Sequence, residues 1–596
     1  MMPTRLFPFL MLSLLTGCGG CSDDPIAEDT LRSGEARLVR ASMALRGIRP
    51  SVDELEVVLL DPGAVEGFVD DWLDDPEFGA TLRDMHAEQL HLRSDLHEMM
   101  PPVGALSDQT TYGIFDAISE GPLALIEEVV LTGQPYSTIV TSPTLRVSEV
   151  GAAVWGADFD SSGPQWQEFT PTDGRPAWGI LSDGALWIRH ASNGNNYQRA
   201  RANMVASALL CEDFLTRDIP LGDDIDLSDD AAVADAVNTD PACVSCHQSL
   251  DPLGGFLWGY LSGFERNSVA AVNSEACTPL AEMELKGSAS QVLTQMKQGA
   301  LCYPLEPWTG GVNFESEGET YSMRDAWDLL GLRAPGYYGL GDDQDDLGRY
   351  IAEDPRFATC TVKRFYSYLT QTDLDDVPLQ TQSELLAIFE DTDMDARELA
   401  KAVVLSAPFT TTELADGREI VGLQNIRPEQ YARLIEDLTG FRWQTNLDAF
   451  AGIECSSECI GEADLALTDQ FGFRTMAGGM DGYRVTFPTH TATPTRQLVF
   501  ARYASEAAGY IVENDFSGEA KLLTVVSEST TDAGTIRDQL ALLHLRVLGE
   551  DVSADSPEVS ETYALFEAAL SHHGDPSGAW KVVLTALFQD PTVLFY

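Results

Sequence analysis

Basic residues are scarce in this sequence. Its 596 residues include 37 lysines and arginines against 94 aspartates and glutamates, which gives a formal net charge of -57 at pH 7. A surface of this sign repels the phosphates of nucleic acids and anionic lipid headgroups. The composition therefore argues against nucleic-acid binding and favours a solvated acidic surface.

Long apolar runs are also missing. The run from Leu6 to Leu15 is too short to cross a bilayer, and no later segment has the roughly 18 consecutive apolar residues that a membrane helix needs. Leu15-Thr16-Gly17-Cys18 ends this run, and the pattern resembles a bacterial lipoprotein signal with its lipobox. The resemblance implies that Cys18 is acylated as the first mature residue, and Gly19 in place of Asp favours the outer membrane. An ordinary secretory signal is the alternative, and both place the chain outside the cytoplasm, in the periplasm or cell envelope.

Several common catalytic signatures are absent as well. The sequence contains no Gly-x-Ser-x-Gly elbow, no zinc-protease helix motif and no phosphate-binding loop. Cysteine and histidine are few, with 10 and 9 residues respectively, so a short motif that combines them carries weight.

That motif is Cys243-Val244-Ser245-Cys246-His247. Two cysteines three residues apart, followed directly by histidine, have the spacing that attaches a c-type haem through two thioether bonds. On one helical turn the next residue directs its imidazole toward the iron, so His247 is the predicted proximal ligand of one covalent haem c. A disulfide, a thioredoxin-like redox pair or half of a zinc site are the alternatives, but no second Cys/His pair of suitable spacing and no surrounding βαβ pattern supports them.

Longer segments around this motif resemble the haem-bearing module of planctomycete-type cytochrome proteins. These are extracytoplasmic proteins of several modules and mostly unknown function. The Asp-Pro-Leu-Gly sequel makes the likeness more specific than the haem motif alone. The matching segments are Gly179-Ile180-Leu181, His190-Ala191-Ser192-Asn193-Gly194-Asn195, Arg201-Ala202-Asn203-Met204-Val205, Leu209-Leu210-Cys211, Asp240-Pro241-Ala242 with the haem motif, and Asp251-Pro252-Leu253-Gly254.

The resemblance extends to other parts of the chain. Residues 347–369 and 395–409 are similar to the C-terminal module that accompanies the haem module in that family. That module usually carries Gly-Arg after its aromatic helix, whereas this chain has Thr370-Gln371, so the role of that arginine does not carry over. Residues 34–93 are similar, more loosely, to an N-terminal module of the same group.

Apolar periodicity predicts a mainly α, multi-module protein with loop-rich segments and a few short strands. The haem motif and the family resemblance imply that one module is a c-type cytochrome-like arrangement of helices. Helices are predicted at 37–45, 52–60, 64–73, 78–99, 199–211, 496–512, 536–548 and 580–588, and loops with one or two strands at 103–198. The expected divisions are a signal peptide (1–17), a tether (18–33), an N-terminal helical module (34–102), a loop-rich middle segment (103–235), the haem segment with its accompanying module (236–415), and a second helical unit without a haem motif (416–596).

Seven cysteines remain after Cys18, Cys243 and Cys246, and an oxidising compartment favours pairing among them. Cys455 with Cys459 and Cys277 with Cys302 close short loops and are the preferred bridges, while Cys211 with Cys360 would join distant segments. The sequence does not establish which cysteines are paired, because spacing alone does not determine disulfide connectivity.

The sequence defines the second axial ligand of the haem less clearly than the first. Met283, Met296 and Met323 follow the motif, and Met283 is favoured because its segment is the least regular. His190 is the other candidate, because it lies in the family-like segment. Three further histidines, which do not share a helical face, also remain possible: His86, His91 and His97.

These observations predict a lipid-anchored cytochrome that transfers electrons to an unidentified redox partner, which the acidic surface would attract if it were basic. The alternatives are a haem-dependent oxidoreductase, peroxidase-like or oxidase-like, with an open sixth site, or a cell-surface scaffold in which the haem has a minor role.

Overall fold

The computed structural model is mainly α-helical, as the sequence predicts, with only short strands in its described part. None of the helices in that part combines the length and the apolar character needed to cross a bilayer. The structure describes residues 29–94, 106, 107, 109, 111–192, 198–217, 226, 228–260, 284–288, 291, 292, 295, 303–316, 318–325, 327, 333–446, 462–467 and 472–596.

The first part of the fold consists of a short strand, a group of helices and a small hairpin. Strands β2 and β3 pair antiparallel, with Leu145 opposite Phe169. The elements are β1 (Thr30–Leu31), α1 (Gly34–Leu45), α2 (Val52–Leu60), α3 (Val65–Trp72), α4 (Pro76–Leu90), α5 (Thr111–Leu131), α6 (Thr138–Thr141), β2 (Leu145–Val147), α7 (Glu149–Trp155) and β3 (Gln167–Phe169).

The middle part contains the helix with the haem motif and a second hairpin. Strands β4 and β5 pair antiparallel, and β6 pairs antiparallel with the distant β1. The elements are α8 (Gly184–Arg189), α9 (Arg199–Leu210), α10 (Asp230–Thr239), α11 (Pro241–Gly255), β4 (Asn313–Ser316), β5 (Glu319–Ser322), α12 (Leu347–Glu353), α13 (Pro355–Thr370), α14 (Leu379–Asp391), α15 (Ala396–Leu405), α16 (Ala407–Thr410) and β6 (Thr411–Glu413).

The last part is a set of helices with one further antiparallel strand pair, β7 with β8. The elements are α17 (Pro428–Thr439), β7 (Gln444–Asn446), β8 (Glu462–Asp464), α18 (Phe473–Met476), α19 (Pro494–Ser517), α20 (Ala533–Leu543), α21 (Pro557–His573), α22 (Pro576–Leu587) and α23 (Pro591–Leu594). A π-helical turn, His544–Leu548, follows α20.

Many of these helices begin with an Asp-Pro pair. The carboxylate of Asp240 accepts the backbone N–H groups of Ala242 and Cys243, and those of Asp354 and Asp590 accept the N–H two residues later. Proline has no backbone N–H group. It fits the first helical position because an N–H group there would have no acceptor within the helix. Asp-Pro therefore fixes the start of α11, α13 and α23.

The larger of two hydrophobic cores in the described chain extends from Leu38 in α1 to Tyr596, and a smaller one lies around Ile114 and Ile118 of α5. The last residues pack back against earlier ones: Gln424 and Tyr596 exchange backbone hydrogen bonds, and Arg40 donates to the Tyr596 carbonyl at 3.1 Å. The segments expected as separate modules thus bury their apolar faces against one another.

One predicted helix is shorter than expected. The helix expected at 78–99 ends at Leu90, because His91 adopts a left-handed conformation with φ of 51°. The carbonyl of His91 accepts a hydrogen bond from Arg189 at 2.6 Å, a tertiary contact that satisfies the helix end.

Part of the segment expected as loops, 103–198, is helical. Helix α5 has 21 residues and contains Gly121 and Pro122, which favour loops in an isolated segment. Leu123 and Ile126 are at most 1% exposed, so burial on the core outweighs the weak local propensity. The β2–β3 hairpin agrees with the expectation of one or two strands in this segment.

A disulfide joins Cys211 at the end of α9 to Cys360 in α13. This is the long-range pairing, and the preferred partners Cys277, Cys302, Cys455 and Cys459 lie outside the described residues. The bridge closes a loop of 149 residues that contains the whole haem-motif helix.

Replacing both Cys211 and Cys360 with Ala is expected to lower the free energy of unfolding by about 3–5 kcal/mol, because a long loop is released in the unfolded chain. Urea unfolding of oxidised protein measures the loss. Peptide mapping of the native protein without reduction provides the control, since it should recover the two peptides joined. Recovery of both thiols free would contradict the assignment.

Candidate haem-attachment site

The haem motif lies in the first two turns of α11. Asp240 caps this helix, and Cys243 and Cys246 face the same side one turn apart. Both cysteines are free thiols: Cys243 is half-buried and Cys246 is buried. Burial, followed by the nearby Asp240 carboxylate, raises the pKa of the Cys243 thiol, so this group is protonated at neutral pH.

His247 is held by a chain of hydrogen bonds. Its Nδ1 atom lies 2.9 Å from Oδ1 of Asp251, one turn further along α11. Asp251 in turn accepts Nε and Nη2 of Arg199, at 2.7 and 3.1 Å, from the start of α9. Nε2 of His247 has no hydrogen-bond partner among the described residues, and the side chain is 23% exposed.

This arrangement favours the ionised form of Asp251. Burial by itself raises the pKa of Asp251, but the hydrogen bonds from His247 and Arg199 outweigh burial and hold that pKa below its ordinary value. A carboxylate at Nδ1 keeps the proton on Nδ1 and leaves the Nε2 lone pair for a metal.

A segment formed by residues 333–337, here called the strap, packs on α11. Arg333 donates to the carbonyl of His247 at 3.3 Å and to Oδ1 of Asn238 in α10 at 3.2 Å. The Gly336 N–H donates to the carbonyl of Pro252, in the Asp-Pro-Leu-Gly sequel. A side chain on Gly255 would approach the backbone of Pro335 to 2.8 Å, so glycine is required where the strap packs on the helix end.

A third arginine lies beside the motif itself. Arg217 reaches the carbonyl of Ser245 at 3.5 Å and Sγ of Cys246 at 3.9 Å. Glu212 pairs with Arg217 and, at 2.6 Å, with Arg356, which anchors the segment after α9 to α13. The motif is thus surrounded by three arginines in an otherwise strongly acidic chain.

Two of the histidines predicted as possible second ligands, His86 and His190, are hydrogen-bonded elsewhere. His86 contacts the Leu82 carbonyl through Nδ1 and the Tyr136 hydroxyl through Nε2, at 2.7 and 2.6 Å. Nε2 of His190 bonds to the Leu90 carbonyl at 2.8 Å, and burial lowers the pKa of this ring well below its ordinary value.

His91 packs against His190, with ring centroids 6.4 Å apart. Met323 is a core residue with 2% exposure. Met283, Met296, His97 and the lipidation candidate Cys18 lie outside the described residues.

The donor set of α11 fits a covalent c-type haem. Two unpaired thiols on one turn, and an imidazole whose Nε2 has no partner among the described residues, are the groups that such a haem requires. Within the described part of the chain, no three His, Cys, Asp or Glu side chains gather into a protein-only metal cluster.

The sequence reasoning missed the residues that orient His247. Asp251 carried a local signal, because it stands four residues after His247 and therefore on the same helical face. Arg199 and Arg333 had no such signal, since they reach the helix from 48 residues before and 86 residues after His247. The chain matches no protein-family model, no curated protein and no solved structure.

Substituting Gly255 with Ala is expected to displace the strap from α11 and to lower the free energy of unfolding by about 1–3 kcal/mol, because a methyl group cannot be accommodated against the Pro335 backbone. Faster amide hydrogen exchange at Gly336 and Tyr337 would report the displacement.

Gly67→Ala in α3 is the matched control, since nothing lies within 4 Å of the added methyl. That change should stabilise the helix by about 0.5–1 kcal/mol. Equal exchange at the strap in both variants would contradict the packing role of Gly255.

Proposed function

We propose that this protein is an extracytoplasmic c-type cytochrome that carries one covalent haem and transfers electrons. The observation that carries the proposal is the orientation of His247 by Asp251 and Arg199 beside two free thiols. In this proposal α11, with α9 and α10 packed against it, forms the haem-binding arrangement of helices.

Each residue of the site then has a defined role. Cys243 and Cys246 hold the haem through thioether bonds, and Nε2 of His247 is the proximal ligand of the iron. Asp251 and Arg199 fix the ring plane and the tautomer of that imidazole, while Arg333 and the strap hold the helix. The haem supplies reversible one-electron chemistry when bound, and Met283 is our proposed second ligand.

The charge of the chain defines the partner that fits this role. With a net charge of -57, the protein would attract a basic redox partner over a distance and would repel an acidic one. Acyl chains on Cys18 would hold this protein at a membrane of the cell envelope, where a partner would have to meet it.

A haem-dependent oxidoreductase is the second candidate function, and the Asp251–His247 contact favours it. A carboxylate bonded to Nδ1 makes the imidazole a stronger electron donor to iron. If the imidazole donates strongly to the haem iron and the sixth coordination position of the iron is open, the haem is better suited to activating a peroxide than to simple electron transfer.

The absorption spectrum of purified protein, recorded oxidised and reduced, distinguishes the two functions. A low-spin spectrum with the charge-transfer band of a methionine–iron bond is expected for electron transfer. A high-spin spectrum would favour the oxidoreductase, and a Met283→Ala variant with an unchanged low-spin spectrum would reject Met283.

Replacing His247 with Ala is expected to abolish normal ligation while the helices stay folded, because this side chain is partly exposed and contributes little to the core. The Soret band should shift, and the far-ultraviolet circular dichroism should not change. The exposed His572 in α21 provides the control, since His572→Ala should leave both spectra as in the native protein. An unchanged Soret band in the His247 variant would contradict the assignment.

Asp251→Asn is expected to raise the midpoint potential of the haem by roughly 60 mV or more, because loss of the carboxylate weakens donation to the oxidised iron by about tenfold. Spectroelectrochemical titration measures the shift. A fall in potential, or none, would show that Asp251 only supports the helix.

A further inference from the structure

Five exposed aliphatic side chains lie near the point where the described chain begins. The second half of α2 exposes Val57, Leu59 and Leu60, the last of them to 90%. Leu31 in β1 is 58% exposed, and Leu423 is 72% exposed. We call these five side chains the entry face. Single exposed aliphatic residues are common, but a group of them on one face indicates an interaction surface.

The segment before Leu423 is attached to β1. Arg32, the residue after Leu31, donates its guanidinium group to the carbonyl of Val421 at 3.2 Å. Strand β1 itself pairs with β6, which lies a few residues before that carbonyl. The two exposed leucines therefore belong to neighbouring segments.

Helix α2 ends against the start of α1, three residues after Leu31. A Cβ atom added to Gly34 would lie 2.8 Å from Val58 and 3.1 Å from Pro62. Arg37 donates to the carbonyl of Pro62 at 2.9 Å. The exposed side chains of α2 are thus close to the same point of the fold as Leu31.

The charged side chains around the entry face suit a lipid surface of low net charge. Arg32 and Arg37 are half-buried, and neither forms an ion pair with another described residue. Glu56 and Asp61 in the same region are exposed carboxylates. The arginines attract lipid phosphates, whereas the carboxylates disfavour a strongly anionic surface.

The proposed lipid anchor limits which face of the protein can meet the membrane. Cys18 stands 11 residues before Asp29, whose carboxylate accepts the backbone N–H of Ala415 at 2.8 Å. Eleven residues span at most about 40 Å, whereas a compact chain of this length is roughly 65 Å across. When Cys18 is anchored, the face opposite Asp29 therefore cannot reach the bilayer, and the entry face can.

We propose that the entry face rests on a phospholipid surface of low net charge, with its aliphatic side chains among the lipid headgroups. This inference depends on the proposed acylation of Cys18, and it adds the orientation of the protein on the membrane. The anchor keeps the entry face within reach of the headgroups, so contacts that are individually weak are enough to hold it there.

The test holds the mature chain on vesicles without acyl chains. The Cys18→Ser chain with an N-terminal hexahistidine tag is bound to vesicles of phosphatidylcholine and phosphatidylethanolamine that contain a nickel-chelating lipid, and hydroxyl-radical footprinting measures the oxidation of each leucine. Oxidation of Leu60 and Leu423 should fall at least about threefold relative to the chain in solution, because the headgroups exclude water from these side chains. Leu215 and Leu340, which are 84% and 72% exposed and do not belong to the entry face, should be oxidised equally in both states.

Replacing Leu60 and Leu423 with Ser should abolish the protection of Leu31 on the vesicles, since the entry face loses its most exposed apolar groups. The double variant Leu215→Ser/Leu340→Ser is the matched control and should leave that protection as in the native chain. Neither double variant should change the melting temperature, because all four side chains are exposed.

The proposal is overturned if the leucines of the entry face are oxidised equally on vesicles and in solution, or if both double variants retain or lose the protection alike. Protection already present in solution, with a dimer seen by light scattering, would make a second copy of the chain the occupant and would also overturn it. Stronger protection on vesicles rich in phosphatidylglycerol would contradict the low net charge of the lipid surface.

These outcomes are independent of the haem assignment and of acylation, because a tag replaces the acyl chains and the readout does not involve haem. The mass of the N-terminal peptide of the native chain, with or without acyl chains on Cys18, tests the lipid anchor separately.

Discussion

The hydrogen-bonded chain from Arg199 through Asp251 to His247 is the contact on which the account of this protein depends. It links two helices, α9 and α11, and decides which nitrogen of the imidazole carries the proton. Without it, the two thiols and the histidine would be a sequence pattern on a helix. With it, the imidazole presents Nε2 away from the carboxylate, in the form that an iron requires.

The local part of this site could be predicted from the sequence because it follows helical periodicity. Cys243, Cys246 and His247 share one helical side, and Asp251 comes one turn later. The contacts of Arg199 and Arg333 could not be predicted, since they depend on how α9 and the strap pack on α11. The same limit applies to the Cys211–Cys360 bridge, in which chain geometry, not spacing, selects the partner.

The fold class was predictable for the same reason, and the errors have a common physical cause. Helices α1 and α22 begin at side-chain caps and overlap their predicted positions. Helix α9 also forms where it was predicted. Helix α5 contains Gly121 and Pro122, but core packing stabilises it against their low propensity. Helix α4 ends early because Arg189, far along the chain, satisfies the carbonyl of His91. Tertiary contacts, which cannot be recognised in a local sequence pattern, determine the extent of both helices.

The most direct test is mass spectrometry of the peptide that contains Cys243 and Cys246, from protein made in a host with complete cytochrome maturation. The account predicts a peptide whose mass is increased by one haem, retained after acid-acetone extraction, with neither thiol available to an alkylating reagent. A peptide of unmodified mass, with both thiols free or joined to each other, would contradict it.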